Sequence, residues 1–121
     1  MPRFDLILRG GHVLDPANGL DGPYDVGIRL GQIESVQQEL DPTHSDRVIN
    51  LANQWIMPGV IDSHVHVATA GRSGDRALGY RQMAEAGVTT AIDFAGTMDS
   101  IIDGINRRGA GLNIGSLYVL D

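Results

Sequence analysis

Two histidines one residue apart, His64 and His66, are the residues of this chain whose type and spacing point most directly to chemistry. They end a largely apolar run that is entered through Pro58 and that predicts a β-strand over 60–67. Side chains alternate along a strand, so both imidazoles and Asp62 are expected on one face. Neighbours on one face lie ~6.6 Å apart, and two rings that lean together can bind one ion at roughly 2.0–2.1 Å. The spacing therefore predicts part of a metal site.

The same pair has a plainer interpretation, because His-x-His occurs often by chance. His64 and His66 could be exposed strand residues, or core histidines satisfied by hydrogen bonds. Their position at the end of an apolar strand, after a β-rich segment and before alternating strands and helices, favours metal binding. Asp62 has two open roles: it could orient a ligand imidazole, as metal-bound histidines usually require, or bind backbone groups below the site.

Three further polar residues are weaker candidates. Asp93 lies near the end of the next predicted strand, where a loop-facing structural role is favoured over catalysis. His12 and His44 lie in the N-terminal β-rich segment and are expected at the surface. Neither is assigned to a metal.

The segment after the histidines is rich in Gly and Ser. Arg72 and Arg76 lie in it and could meet an anionic substrate, although a solvated loop is the favoured interpretation. Gly71 and Gly74 do not form a phosphate loop, because no Lys follows them.

Composition limits the class of protein and of partner. With 121 residues, 42% apolar and 20% charged, the chain is expected to be a soluble globular protein. Its net charge of −6 argues against nucleic acid and anionic membranes as partners, because both attract basic surfaces. A small-molecule substrate is favoured instead. Cysteine is absent, so a metal must be held by imidazole, by carboxylate or by a ligand from elsewhere. No leader-like or membrane-spanning segment is evident, which predicts a cytoplasmic location.

The elements that must position the histidines fall into two groups. The first, over 1–53, reads as short β-strands separated by turns and predicts a small sandwich or sheet. Its predicted strands are 4–9, 12–15, 25–30, 33–37 and 48–51, with turns at 16–19 and at Gly31-Gln32.

The second group, over 54–121, alternates strands with helices, which is typical of βα units around a parallel sheet. Strands are predicted over 60–67, 88–95 and 112–120, and helices over 77–86 and 99–108. The second helix is expected to begin with Asp99 or Ser100 as its N-cap and to stop at Gly109. The fold class is therefore α/β, with a boundary at 53–58.

A resemblance to a known family rests on strings spread over nearly the whole chain. PGVIDSHVH at 58–66 resembles the first barrel strand of the amidohydrolase superfamily, and AGVTT at 86–90 resembles the second. The strings before them resemble the small β-domain that precedes the barrel in dihydroorotase, hydantoinase and imidazolonepropionase relatives: DLILRGGHVLDP at 5–16, DVGI at 25–28, GQI at 31–33 with Val36, and VINL at 48–51. The resemblance implies a small β-sandwich segment followed by the first three strands and two helices of an incomplete (β/α)8 TIM barrel.

By the same resemblance, His64 and His66 are ligands of the more buried of one or two divalent metal ions, with zinc expected. The metal activates a water that hydrolyses an amide, another C–N bond or an ester. In the dihydroorotase-like branch an Arg two residues past the second histidine commonly holds a substrate carboxylate. Ala68 stands at that position here, which disfavours dihydroorotate and leaves the substrate-binding residues unassigned.

A closed barrel typically needs about 250 residues, more than this chain offers. The family's further ligands, a carbamylated Lys or a Glu on the fourth strand and two His on the fifth and sixth, arise later, as does the catalytic Asp of the eighth. The chain contains no Lys, and none of its own residues is assigned a catalytic role. We therefore expect it to require the remainder of the barrel, from the same longer chain or another, and to be inactive alone.

Two other classes stay open on the sequence. The chain could be a non-catalytic binding or scaffolding subunit that another chain completes. It could also belong to a metal-dependent phosphoesterase, a class that can begin with His-x-His, although the β-rich segment before the strand argues against it.

Overall fold

The computed structural model describes residues 4–67, 76–95 and 97–117. The chain divides into two compact units, Met1–Pro58 and Gly59–Asp121.

The first unit is built on one mixed sheet. Its strands are β1 (Leu6–Asp15), β2 (Leu20–Arg29), β3 (Gln32–Gln37), β4 (Val48–Asn50) and β5 (Trp55–Ile56). They follow the order β3-β2-β1-β4, and β5 also pairs with β1. The pairs β1–β2 and β2–β3 are antiparallel, whereas β4 and β5 run parallel to β1. Within residues 4–58 the structure thus has a single sheet, and not the two facing sheets of a sandwich.

Several strand limits differ from those predicted. The segments 4–9 and 12–15, predicted as two strands joined by a bend or bulge at Gly10-Gly11, form one continuous strand with a bulge between Leu8 and Gly11. A Gly10 φ of 71° supplies the bend that the bulge requires. β2 begins at Leu20, five residues earlier than predicted, and β5 was not predicted.

The β2–β3 hairpin turns at Leu30-Gly31, one residue before the predicted position. Both residues have positive φ, 50° and 75°, which is the geometry of a two-residue hairpin turn that matches the twist of the strands. The carboxylate of Asp5 accepts a hydrogen bond from the Leu30 backbone N–H at 2.5 Å. This bond stabilises a turn whose first residue is not glycine.

A buried carboxylate ties three segments of the first unit together. The Asp25 side chain lies on β2 and the residue is only 3% exposed. It accepts hydrogen bonds from the backbone N–H of Gly10, in the β1 bulge, at 2.7 Å and from that of Leu40, after β3, at 2.9 Å. Leu40 in turn packs with Phe4 and Ile7 in the buried core.

The second unit has the predicted order of strands and helices. It consists of β6 (Val60–Val65), α1 (Arg76–Glu85), β7 (Val88–Asp93), α2 (Met98–Arg108) and β8 (Asn113–Ser116). The three strands are parallel and adjacent, in the order β6-β7-β8. Part of the predicted third strand, 118–120, lies outside the described residues.

The N-cap of α2 was predicted wrongly. Thr97, and neither Asp99 nor Ser100, caps the helix: the Thr97 hydroxyl accepts a hydrogen bond from the Ser100 N–H at 3.3 Å. Asp99 instead lies in the first turn, where its negative charge interacts favourably with the positive end of the helix dipole. The helix ends at Gly109, as predicted, with φ of 70°.

One side of the second sheet packs against the helices. Ala91 and Ala95 are buried on this side, and Ala95 forms a core cluster with Ile101 of α2, joined by the partly buried Ile105 and Ile114. The apolar residues of β6 and of the residues just after it are buried to different degrees. Val67 closely approaches α1 at Gly79, but Ile61 is 69% exposed.

Asp93, at the end of β7, is completely buried on the helix-packed side, two residues from Ala91 and from Ala95. Its carboxylate accepts a hydrogen bond from the Tyr80 hydroxyl of α1 at 2.7 Å and another from the Ala95 backbone N–H at 2.8 Å. Asp93 thus connects the end of the strand to the helix and to the following loop. These contacts are structural, and the one with Ala95 reaches the following loop; the complete burial of Asp93 was not predicted.

No helix among the described residues is both long and apolar enough to cross a membrane. The cytoplasmic location stays a prediction.

The first test concerns the buried carboxylate of Asp25. Asp25→Asn retains one acceptor oxygen but replaces the other with an N–H donor, so one of the two backbone N–H groups loses its partner. We expect the free energy of unfolding to fall by about 2 kcal/mol in urea denaturation. Glu34→Gln makes the same chemical change at an exposed position of β3 and is expected to cost less than about 0.5 kcal/mol. Equal effects of the two substitutions would contradict the bridging role of Asp25.

A second test concerns the hydrogen bond between Tyr80 and Asp93. Tyr80→Phe removes a donor from a buried carboxylate and is expected to lower the free energy of unfolding by about 1–3 kcal/mol. Tyr24→Phe is the matched control, because Tyr24 is half-buried and its hydroxyl has no hydrogen bond within the described part of the chain. A Tyr80→Phe protein as stable as the Tyr24→Phe protein would show that the hydroxyl does not stabilise Asp93.

Candidate metal centre

The two histidines predicted from the sequence do converge. His64 lies on β6 and His66 follows its last residue, and their Nε2 atoms are 3.0 Å apart. The ring centroids are separated by 5.1 Å with an angle of 42° between the planes. Both residues are exposed, on the side of the sheet away from the helices. The site is therefore accessible from outside the second unit.

The two Nε2 atoms lie at a hydrogen-bonding separation of 3.0 Å. Two imidazole nitrogens on one tetrahedral ion with bonds of roughly 2.0–2.1 Å lie about 3.4 Å apart, so the rings would separate slightly to bind one ion. Zinc is well suited to imidazole ligands. No cluster of three or more His, Cys, Asp or Glu side chains that could hold a metal occurs among residues 4–67, 76–95 and 97–117. Among the described residues, the two histidines are thus candidates for at most half of a four-coordinate shell.

A slip in strand register shapes the approach to the pair. Asp62 aligns with Ala91 on β7, but Val65 aligns with Asp93, so three steps along β6 match two along β7. The strict alternation predicted for Asp62, His64 and His66 is interrupted at this bulge. By the register, Asp62 lies in line with Ala91, on the helix-packed side.

The Asp62 carboxylate accepts a hydrogen bond from the His64 backbone N–H at 3.2 Å. This is the backbone contact that the sequence left open as one of two roles. Through it Asp62 restrains the main chain at His64. A role in orienting a ligand imidazole stays a prediction.

An aromatic residue that sequence reasoning missed lies against the pair. The Phe94 ring stacks on His64 with centroids 4.3 Å apart and planes at 18°, and it lies 6.2 Å from the His66 ring. The Phe94 backbone N–H donates to the Val65 carbonyl at 2.9 Å, which holds the ends of β6 and β7 together. The one available signal was its position at the end of the neighbouring parallel strand.

The other sequence candidates lie elsewhere or cannot be described. His12 and His44 belong to the first unit, where the His12 Nε2 contacts an Asp21 carboxylate oxygen at 2.6 Å and its ring lies 4.2 Å from Trp55. Arg76 opens α1. Ala68, Gly71, Arg72 and Gly74 fall outside the described residues.

Comparison with known proteins finds relatives that include dihydroorotases, although no family model matches the chain. A dihydroorotase of Anaeromyxobacter dehalogenans strain 2CP-C is 33% identical over 87 residues, which cover 72% of this chain and 19% of that protein. The chain therefore spans about a fifth of the length of this curated relative.

Solved structures agree in fold. A D-aminoacylase with a binuclear metal centre matches 74% of this chain and 18% of its own, with 34% identity and a TM-score of 0.60. An L-hydantoinase from Arthrobacter aurescens matches 93% of this chain and 27% of its own with a TM-score of 0.72, and at 19% identity this likeness concerns the fold alone. Together with the dihydroorotase relatives, these matches place the chain in the amidohydrolase superfamily, where it corresponds to the N-terminal portion of the longer members.

Proposed function

We propose that this chain contributes His64 and His66 to the metal centre of a hydrolase that cleaves an amide or another C–N bond of a small molecule, or an ester. The observation that carries the proposal is the 3.0 Å convergence of the two Nε2 atoms at the end of β6. In barrel enzymes the carboxyl ends of the strands carry the active site, and in this unit the pair lies at that end of a parallel sheet.

The protein residues have defined parts in this chemistry. His64 and His66 would hold a divalent ion through their Nε2 lone pairs, which requires both imidazoles to be neutral. A metal bound there supplies a Lewis acid that polarises the substrate carbonyl and lowers the pKa of an attacking water. The pair lies on the exposed side of the sheet, so a substrate can approach it without displacing the helices.

Zinc is the metal we propose, in one or two ions. Two imidazoles form a donor set that zinc accepts readily, and the chain has no thiolate to offer. The D-aminoacylase relative has a binuclear centre, which supports a site for a second ion.

The substrate class follows from the relatives' names and from one position of this sequence. The curated relatives are named dihydroorotase, and the structural neighbours include a hydantoinase and a D-aminoacylase. Ala68 stands where the dihydroorotase-like branch commonly has a carboxylate-binding Arg. We therefore propose a cyclic or N-acyl amide other than dihydroorotate.

The proposal draws the remaining ligands from the rest of the barrel, in a longer chain that contains this one or in another subunit, because the described residues offer only the two histidines. We assign 1–53 to a small β-domain segment and 54–121 to the first three strands and two helices of a (β/α)8 barrel. The interleaving of three adjacent parallel strands with two helices supports the second assignment. By this proposal the 121-residue chain alone is inactive.

Substitution of the four histidines tests the proposal in the complete protein. His64→Ala and His66→Ala each remove a ligand, so we expect zinc affinity to fall at least about a hundredfold and amide hydrolysis to be lost. His12→Ala and His44→Ala are the matched controls, because both remove an imidazole from the first unit and are expected to retain full zinc content. Bound zinc is measured by mass spectrometry after dialysis, and turnover with a panel of cyclic amides and N-acyl amino acids.

Retention of zinc and of turnover in both His64→Ala and His66→Ala would overturn the proposal. Hydrolysis of phosphate esters with no hydrolysis of amides would favour the phosphoesterase instead. A complete natural chain that binds no zinc would favour a binding or scaffolding role.

A further inference from the structure

The Phe94 ring makes different contacts with the two histidine rings. Its ring is nearly parallel to that of His64, at 18° and 4.3 Å, but is tilted by 35° to that of His66 at 6.2 Å. A nearly parallel contact at this distance covers a face of the His64 imidazole and leaves its edge, with the nitrogen atoms, uncovered. The contact therefore limits the tilt of the ring without occupying the Nε2 lone pair.

Among the described residues, no protein group restrains the His64 ring in the usual way through its second nitrogen. A metal-bound histidine commonly donates its second ring N–H to a carboxylate, a carbonyl or water, which fixes the orientation of the ring. The Nε2 of His64 points to His66, so Nδ1 is its second nitrogen. Within the part of the chain that the structure describes, Nδ1 of His64 has no hydrogen bond. The Asp62 carboxylate contacts only the backbone N–H of this residue.

Phe94 is itself held firmly by its neighbours. Its backbone N–H donates to the Val65 carbonyl at 2.9 Å, and Asp93 and Ala95 on either side are 0% and 1% exposed. The Asp93 carboxylate accepts the Ala95 N–H at 2.8 Å, and this bond spans Phe94. The backbone of Phe94 is thus fixed to the strand before it and to the loop after it, while its side chain is 37% exposed beside His64.

We propose that Phe94 is a positioning residue for the metal centre: its ring sets the plane of the His64 imidazole, so that Nε2 stays directed at the point shared with His66. The inference rests on the proposed function, because it assumes that the two histidines bind a metal. It assigns the orienting role to stacking on an aromatic ring. Asp62, for which the sequence left both an orienting role and a backbone role open, bonds the main chain of His64.

The test compares side chains of similar size with and without a flat ring. Phe94→Leu retains an apolar side chain but removes the stacking surface, whereas Phe94→Tyr retains the ring. In the complete apo-protein titrated with Zn²⁺ against a chromophoric chelator, Phe94→Leu is expected to weaken binding about tenfold and Phe94→Tyr less than about twofold. His64→Ala, measured in parallel, reports whether the pair binds zinc at all.

A second measurement reports the stacking itself. Because the His64 ring stacks on the Phe94 ring, the NMR signals of its imidazole C–H protons are expected at higher field than those of an unstacked histidine, with a smaller displacement for the more distant His66. Phe94→Leu should remove the displacement and Phe94→Tyr should preserve it. A merely structural role of Phe94 would change thermal stability without this pattern.

Three results would overturn the inference. One is wild-type zinc affinity in Phe94→Leu. Another is equal weakening in Phe94→Leu and Phe94→Tyr. The third, which remains measurable if Phe94→Leu does not fold, is the absence of the upfield displacement in the wild-type protein. If instead His64→Ala binds zinc as tightly as the wild type, the proposed function fails, and that result is distinct from all three.

Discussion

The parallel pairing of β6 with β7 is the constraint on which the candidate site depends. Parallel strands bring their carboxyl ends to one edge of the sheet, so the residues that follow β6 and β7 become neighbours. The hydrogen bond from the Phe94 N–H to the Val65 carbonyl closes this pairing at its end. A shift of one residue in the pairing would move Phe94 away from the face of His64. The register thus controls the surroundings of the histidines as well as the sheet.

The two sides of β7 show how one strand serves both packing and the site. Ala91, Asp93 and Ala95 are buried toward the helices, and Asp93 is bonded to Tyr80. Phe94, between two of these residues, faces the histidines instead. The buried side fixes the position of the strand end, and the open side uses that fixed position to place an aromatic ring. Stability and geometry of the site are therefore linked through adjacent residues.

Sequence reasoning succeeded where the pattern is local. The alternation of strands and helices after residue 58, the stop of α2 at Gly109 and the convergence of His64 with His66 all follow from periodicity and from residue type. It failed where the outcome depends on contacts between distant segments. Asp25 bonds backbone groups fifteen residues away on either side, and nothing in its local sequence indicates burial.

The bulge in β6 and the stacking of Phe94 were missed for a related reason. Both depend on the register between two strands, which is set by the packing of whole side chains. The choice of Thr97 over Asp99 or Ser100 depends on where the loop after β7 delivers the chain to α2. All three residues are good N-caps, so residue type alone does not decide.

The central claim is that Nε2 of His64 and Nε2 of His66 bind one ion. Anomalous X-ray diffraction at the zinc absorption edge from crystals of the complete, zinc-loaded protein measures this directly. We expect an anomalous peak at roughly 2.0–2.1 Å from both Nε2 atoms. A zinc peak bound elsewhere, with the two histidines still in contact with each other, would contradict it.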